Sequence, residues 1–429
     1  MHIGGCREDF SYCNIQGRVV SYDRPGIVLK DRHEKERPMP KPLEGMKILD
    51  FTYLLPGPFG TMMLADLGAD IIKVENSEAP DIVRLLPPHV DEVGAIYAHL
   101  NRGKKSLSIN MKHDAARGVI YRLVKDYDVV IEQFRPGTMD RLGIGYKQLS
   151  QVNPSIIYCS LTGYGQTGSY ADRAGHDINY MALSGVESIS GRKDTGPVLT
   201  GIQVADLASG AKNAAIGIMA AYINRTRTGK GDCLDVSITD GVFSMSVFAT
   251  AGYLAGGKEP VRGDLLSGGA LYDFYVTADG GYLSVGPIEQ KFFAAFCDCI
   301  GCGDIAHTGI MNWNNKERVA RAIAEKPLSH WREVFRKCDA CVEPVYTIGE
   351  AVSNPPLSER DMVVPVRTVL GKEVKQIGNP IKFRSGHYYA PEAGVALGYH
   401  NEEILSALGY SGDEISNLME SGCLGCGTP

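Results

Sequence analysis

The stretch MKILDFTYLLPGPFGTMMLADLGADIIKVE, residues 46–75, decides the fold because strand, helix and strand patterns follow one another in it. MKILDFT has the apolar character of a buried strand, and FGTMMLADLG has a helical pattern that Gly68 ends. ADIIKVE is a second apolar run of strand length. A succession of this kind predicts a right-handed βαβ unit whose two strands are parallel.

The same alternation continues along the chain. KSLSINM, DVVIEQF and SIIYCSL have the character of strands, and AARGVIYRLVKD has that of a helix. We therefore predict an α/β fold with a Rossmann-like large domain and a mostly parallel sheet. The turn PGPFG is not a G-x-G-x-x-G fingerprint, so a redox dinucleotide is not expected.

After about residue 260 the pattern changes. LYDFYVT and YLSVG alternate around Asp279-Gly280, which predicts a β-hairpin and, with the helical stretch that follows, a smaller α+β domain. The predicted organisation is an N-terminal arm (1–42), a large domain (43–235, completed by 375–429), a small domain (260–370) and linkers (236–259 and 371–380).

Composition limits the class of protein. With 429 residues, 44% hydrophobic and 22% charged, the chain is long enough for two domains. A net charge of -6 argues against nucleic acid as a partner. No apolar run approaches the roughly 20 residues of a membrane span, and the N-terminus has no signal-peptide pattern. We expect a soluble, cytoplasmic protein with no membrane partner.

The 11 cysteines include the spaced groups CDCIGC, CDAC and CLGC, which resemble zinc knuckles. A tetrahedral zinc site needs four ligands brought together, and spacing alone does not show that. We expect reduced thiols and no metal.

The segment AGHDINYMALSG, residues 174–185, places His176 beside Asp177 just before a helical pattern. A helix N-terminus favours a developing anion, although Asp177 can also be explained as an N-cap. Asp206 opens the next long helix and Glu289 follows the hairpin. Each of these acids has the same simpler explanation, a favourable charge at the start of a helix.

Basic residues gather near the predicted strand ends, where ligands of parallel sheets collect. Arginine matches phosphate oxygens, so a phosphate-bearing ligand is expected, and a solvated basic face is the alternative. The residues concerned are Arg102, Lys104, Lys105, Lys112, Arg135 and Arg141.

Several long stretches together resemble the α-methylacyl-CoA racemase branch of the class III CoA-transferase (CaiB/BaiF) superfamily, over residues 43 to about 420. They occur in the family's order and are LEGMKILDF, PGPFGTMMLADLGADIIKVE, FRPGTMDRLGIGY, TGYGQTG, AGHDINYMALSG, TGKGDCLDVSITDG, SGGALYDFYVTADGGYLSVGPIEQKFF and CDACVEPV. The resemblance implies an interlocked homodimer that acts on an acyl-CoA thioester without a further cofactor.

The resemblance also implies roles for individual residues. His176 and Asp206 correspond to the two acid/base groups, and Glu289 to the residue that orients the histidine, from the other subunit. The substrate-contacting segment is Gly175, His176, Asp177, Ile178, Asn179 and Tyr180. The CoA-holding positions are Ile109, Asn110, Met111, Lys112, Gln133, Phe134, Arg135 and Arg141. Asn76 stands where many relatives have a CoA-binding arginine, so we expect Arg102 or Lys104 to replace that contact.

The implied reaction is epimerisation of 2-methylacyl-CoA thioesters at the α-carbon. One base removes the α-proton, and an opposed acid returns a proton to the other face. Histidine, with a pKa of about 6.5, suits the first role, whereas aspartate needs its pKa raised by burial or a negative neighbour. Helix N–H groups stabilise the enolate between them.

Two alternatives keep the fold. The first is a CoA-transferase in which Asp177 forms an acyl anhydride while CoA moves between two acids. TYLLPGPF favours that branch, whereas the transferases' GGGG loop is replaced by SGGA. The second is a CoA-thioester-binding protein without catalysis.

Overall fold

The computed structural model describes residues 40–425. Most of the predicted N-terminal arm over residues 1–42, and Cys426 of the CLGC group, lie outside the described residues.

A six-stranded parallel sheet forms the centre of the fold, with the strand order β5-β2-β1-β6-β7-β8. Its strands are β1 (Lys47–Phe51), β2 (Asp70–Glu75), β5 (Lys104–Ser108), β6 (Val129–Glu132), β7 (Ile157–Thr162) and β8 (Asp232–Ser237). Between β2 and β5, β3 (His89–Val90) and β4 (Val93–Gly94) form a small hairpin. The predicted parallel α/β sheet is confirmed, and β8 is a strand that the sequence did not reveal.

Helices cover both faces of this sheet. Those before β8 are α1 (Pro56–Asp66), α2 (Ala95–Leu100), α3 (Asp114–Val124), α4 (Thr138–Arg141), α5 (Tyr146–Val152), α6 (Asp177–Leu183), α7 (Val186–Ile189) and α8 (Lys212–Thr228). The first βαβ unit is confirmed, and α1 begins earlier than the pattern indicated because Pro56 favours a helix start. Gly68, after its end, has a φ of 107°, which glycine adopts without steric cost.

Two apolar cores lie on opposite faces of the sheet. One contains Leu49 and Ile120, and helices α16 (Asn401–Ala407) and α17 (Gly412–Glu420) contribute Leu405 and Ile415 to it. The other is built by β1, β7, α1 and α8. Burial on both faces explains why β1, β2, β6 and β7 contain consecutive apolar residues, although charged Asp50, Lys73 and Glu132 are buried among them.

A separate core forms after residue 270 around Phe293, Phe296 and Trp331. Antiparallel strands β9 (Asp273–Val276), β10 (Tyr282–Val285) and β11 (Val342–Pro344) pack there against α11 (Gln290–Cys299), α12 (Lys316–Ala324) and α13 (Leu328–Phe335). The predicted hairpin is confirmed, and Gly280 in its turn has a φ of 81°. The smaller α+β part of the fold is therefore present.

The segments between and after these cores are also structured. Residues 236–259 contain α9 (Ile238–Met245) and α10 (Val247–Gly256). The short helices α14 (Ile348–Ser353) and α15 (Pro355–Ser358) precede a hairpin of β12 (Val363–Arg367) and β13 (Glu373–Ile377).

Residues 40–425 contain neither a candidate membrane span nor a candidate metal cluster. None of their helices is long and apolar enough to span a bilayer. Nor does this range contain three or more His, Cys, Asp or Glu side chains grouped so that they could hold a metal ion.

Candidate active site

A pocket of about 300 Å³ lies at the carboxyl ends of β1, β6 and β7. Residues from three strand-to-helix loops line it, including Tyr53 after β1, Arg135 after β6 and Gly163 after β7. His176 and Asp206 line the same pocket. The pocket therefore lies at the edge where the parallel strands end, and of the basic residues predicted near strand ends Arg135 lines it.

His176 is the N-cap residue of α6. Its backbone N–H donates to Asn179 Oδ1 at 3.0 Å, and the carbonyl of Gly175 accepts the Tyr180 hydroxyl at 2.5 Å. These two bonds fix the backbone on either side of the exposed imidazole. The interpretation of Asp177 as the N-cap was wrong, since Asp177 is the first residue of the helix.

Asp206 lies in the first turn of a π-helical segment, Ala205–Ala211, that continues into α8. Its backbone N–H donates to Asp177 Oδ1 at 3.0 Å. Burial, followed by the negative charge of Asp177, raises the pKa of the Asp206 carboxyl to about 7. At neutral pH this group can therefore either give or take a proton.

Replacing Asp177 with asparagine should lower the pKa of Asp206 below about 7, because one of the two causes of the raised value is removed. The pKa should stay above the usual aspartate value, since burial persists. Infrared titration of the carboxyl C=O band measures this, with Asp206→Asn identifying the band. If the Asp206 band titrates at the same pH in Asp177→Asn as in the parent protein, Asp177 does not act on Asp206.

The other predicted substrate residues divide into two groups. Gly175 and Tyr180 line the pocket, whereas Ile178 and Asn179 are exposed on α6 and do not line it. Gly175 has no room for a side chain, because an added Cβ would lie 2.6 Å from the Tyr164 hydroxyl. Glu289 is the exposed N-cap of α11 and lies outside this pocket within the chain.

Of the predicted CoA-holding residues, Gln133, Phe134 and Arg135 line the pocket. The Gln133 side-chain oxygen accepts the Gly57 N–H at 3.2 Å, which ties the loop after β6 to the start of α1. The remaining positions are buried Ile109, partly buried Asn110 and Met111, and exposed Lys112 and Arg141.

Arg102 and Lys104 are not available to a ligand, which corrects the prediction made for them. The Arg102 guanidinium is 1% exposed and donates to both carboxylate oxygens of Asp66, at 2.8 and 2.6 Å. The Lys104 ammonium is buried 3.1 Å from Asp50 Oδ2, and burial lowers its pKa to about 8. Both cations stabilise the fold instead of facing the pocket.

Sequence reasoning missed a buried acid at the end of β6. Glu132 accepts the Phe134 N–H at 2.8 Å, so it fixes a residue of the pocket wall. Burial raises the pKa of this carboxyl to about 7, and its hydrogen bonds with Ser160 and the Phe134 N–H offset only part of that effect. The available signal was an acid within an otherwise apolar strand, VVIE.

Fold and pocket together define an α/β protein with acid and base groups at the carboxyl edge of a parallel sheet. The chain belongs to CoA-transferase family III, whose sequence model matches residues 43–401. The family resemblance found in the motifs is thus confirmed.

Named relatives carry two different activities. The chain is 35% identical to human "Alpha-methylacyl-CoA racemase", over 88% of this chain and 96% of the relative. It is 31% identical to mouse "Succinyl-CoA:glutarate CoA-transferase", over 95% and 97%. A solved CAIB/BAIF family protein from Brucella suis superposes with a TM-score of 0.76 at 29% identity, covering 86% of this chain and 99% of that one. The family therefore contains both racemases and CoA-transferases.

Proposed function

We propose that the protein epimerises 2-methylacyl-CoA thioesters at the α-carbon by proton transfer between His176 and Asp206. The observation that carries this proposal is that these two side chains line one pocket while the pKa of Asp206 is raised to about 7. A protonated Asp206 is then present near neutral pH and can serve as the acid that the reaction needs.

The proton balance of the reaction closes with these two groups. Neutral His176 takes the α-proton and becomes imidazolium, while the electron pair of the broken C–H bond forms the thioester enolate. Protonated Asp206 gives its proton to the opposite face of that carbon and becomes a carboxylate. The reverse direction exchanges the two roles, so each epimer meets one base and one acid.

CoA binding belongs to the same proposal. Gln133, Phe134, Arg135 and Arg141, with residues 109–112, are the residues that we assign to the CoA moiety. Arg135 lines the pocket and is exposed, so its guanidinium can meet a phosphate without breaking an internal ion pair.

We also propose that the active form is a homodimer in which Glu289 of a second copy orients His176. Two observations support this. Glu289 lies outside the pocket of its own chain, so it cannot complete the site there. Helix α10 has no buried residue, and its Phe248 and Leu254 are 72% and 75% exposed, as expected of a surface that another copy covers.

A CoA-transferase is the second candidate function, because relatives with that activity match at nearly the same identity as the racemases. In that reaction the Asp177 carboxylate attacks an acyl thioester, which releases CoA thiolate and leaves the first acyl group on Asp177 as a mixed anhydride. The thiolate attacks the Asp177 carbonyl, so that the first acid leaves as its carboxylate and CoA is held as an Asp177 thioester. The carboxylate of the second acid displaces CoA thiolate from Asp177, and the thiolate then takes the second acyl group from the new anhydride and frees Asp177. The Asp177 carboxylate is partly exposed and accepts the N–H of the pocket residue Asp206, although Asp177 does not itself line the pocket.

One experiment separates the two functions. A single epimer of a 2-methylacyl-CoA is incubated in deuterated buffer, with and without an acceptor carboxylic acid and labelled CoA. The proposal predicts α-deuterium in both epimers without any acceptor. Turnover that requires the acceptor, with labelled CoA moving between acids and no α-deuterium, would establish transfer instead.

A further inference from the structure

The loop that follows β1 has an unusual backbone. Leu54 has a φ of 61°, in the left-handed region that residues other than glycine rarely adopt. Tyr53 and Leu54 both line the pocket, so this conformation shapes the pocket wall. A conformation of this kind persists only where the surrounding structure holds it.

The group that holds Leu54 is the carboxylate of Asp81, which is 5% exposed. Its Oδ2 accepts the Leu54 N–H at 2.9 Å, and its Oδ1 accepts the Val83 N–H at 3.1 Å. The Leu54 side chain packs against the buried side chains of Val83, Val93 and Tyr97, which follow β2 in the chain. Asp81 thus joins the loop after β1 to the segment after β2.

Asp81 is itself held in place by the end of β2. Its backbone N–H donates to Glu75 Oε1 at 3.1 Å. Glu75 in turn forms a buried, bidentate ion pair with Arg84, whose Nε and Nη2 donate to Oε1 and Oε2 at 2.9 and 2.5 Å. Since every one of these partners is buried, the acceptor for Leu54 occupies a fixed position.

The loop is also held one residue before Tyr53. The Thr52 N–H donates to Asp50 Oδ1 at 2.9 Å, and the buried Lys73 ammonium donates to the Thr52 carbonyl. Tyr53 therefore lies between two residues whose backbone is held, Thr52 and Leu54. Its ring centroid is 5.8 Å from that of Phe134 in the pocket wall.

We propose that Asp81 is a positioning residue of the active-site pocket, which holds Leu54 in the left-handed conformation and thereby places Tyr53 against Phe134. Asp81 does not line the pocket and does not reach the substrate. It acts through the loop, and its effect on turnover rests on the proposed function.

The first test does not depend on activity. In full-length protein, Asp81→Ala should speed amide hydrogen exchange of Leu54 by about tenfold or more, because its hydrogen-bond acceptor is lost. The matched control is Asp128→Ala, since Asp128 accepts the Lys47 N–H at 2.7 Å at the opposite end of β1. The control should leave exchange over residues 52–55 unchanged. Unchanged exchange in Asp81→Ala overturns the proposal.

The second test separates binding from chemistry. Asp81→Ala should raise KM for the thioester by about tenfold, the equivalent of one hydrogen bond, with kcat changed by less than about threefold. Asp81→Asn should give an intermediate KM, because its single amide oxygen can accept only one of the Leu54 and Val83 N–H groups. If Asp81→Ala does not fold, Asp81→Asn is measured in its place. A loss of kcat at constant KM contradicts the positioning role. If no thioester turns over at all, only the proposed function fails, since the exchange result stands alone.

Discussion

His176→Ala and Asp206→Asn should each lower epimerisation of a 2-methylacyl-CoA by about 10²–10⁴-fold, the usual contribution of a positioned acid or base. Both side chains line the same pocket, and no proton can be delivered to one face of the α-carbon when either is removed. The measurement is the rate at which one pure epimer gives the other.

The two variants should differ in the hydrogen exchange that remains. Asp206→Asn leaves His176 able to remove and return a proton on its own face, so one epimer can exchange its α-hydrogen without inversion. His176→Ala should show the same behaviour for the opposite epimer only. A pair of opposed bases predicts this reciprocal pattern, whereas a single base shared by both faces does not.

Controls come from comparable positions outside the pocket. Asp413→Asn removes an exposed acid from the first turn of α17, as Asp206→Asn does for its own helix, and His330→Ala removes an exposed histidine from α13. Both should retain the parent rate. If His176→Ala and Asp206→Asn also retained full exchange, the assignment of the two bases would be wrong.

The central strands could be predicted from the sequence because strands buried on both faces contain consecutive apolar residues. β1 and β7 are buried on both faces, so each contains consecutive apolar residues, Ile48-Leu49 in β1 and residues 157–159 in β7. β8 is an edge strand with the sequence DCLDVS and several exposed residues, so no apolar run or regular alternation identifies it. Its place is decided by pairing with β7, which sequence does not show.

The burial of Arg102 and Lys104 could not be predicted for a related reason. In NRGKK both look like part of a basic surface, because cations usually stay in water. Their acidic partners lie 36 and 54 residues earlier in the chain, at Asp66 and Asp50. Only the folded sheet brings these pairs together.

The candidate site was predicted in part. The types and positions of His176 and Asp206 indicated acid/base chemistry, and either burial or a negative neighbour was required to raise the pKa of the aspartate. Both are present in the structure, and burial is the larger cause. The structure identifies that neighbour as Asp177, 29 residues before Asp206. Asp81 gave no sequence signal, since its role depends on the backbone conformation of Leu54.

Arg102→Ala should destabilise the protein by about 3–5 kcal/mol, because it leaves the buried carboxylate of Asp66 without its cation. Arg102 also donates to the carbonyl of Ile377 in β13 at 2.7 Å, so the variant releases a second buried group. Denaturant unfolding of the purified protein measures the loss. Arg102→Met/Asp66→Asn should recover part of it, since no buried charge is then left unpaired and asparagine can still accept the Ala390 N–H.

Arg141→Ala provides the contrasting result. Arg141 is exposed, and within residues 40–425 its guanidinium donates only to the nearby Thr138 hydroxyl, so its removal should change stability by no more than about 0.5 kcal/mol. If it holds a CoA phosphate as proposed, free CoA should bind this variant more weakly in calorimetry. The two variants therefore distinguish an arginine that stabilises the fold, Arg102, from an arginine that is proposed to bind CoA, Arg141. Should Arg102→Ala keep its stability but lose CoA affinity, Arg102 is a ligand-binding residue after all, and the buried pair with Asp66 does not describe the protein in solution.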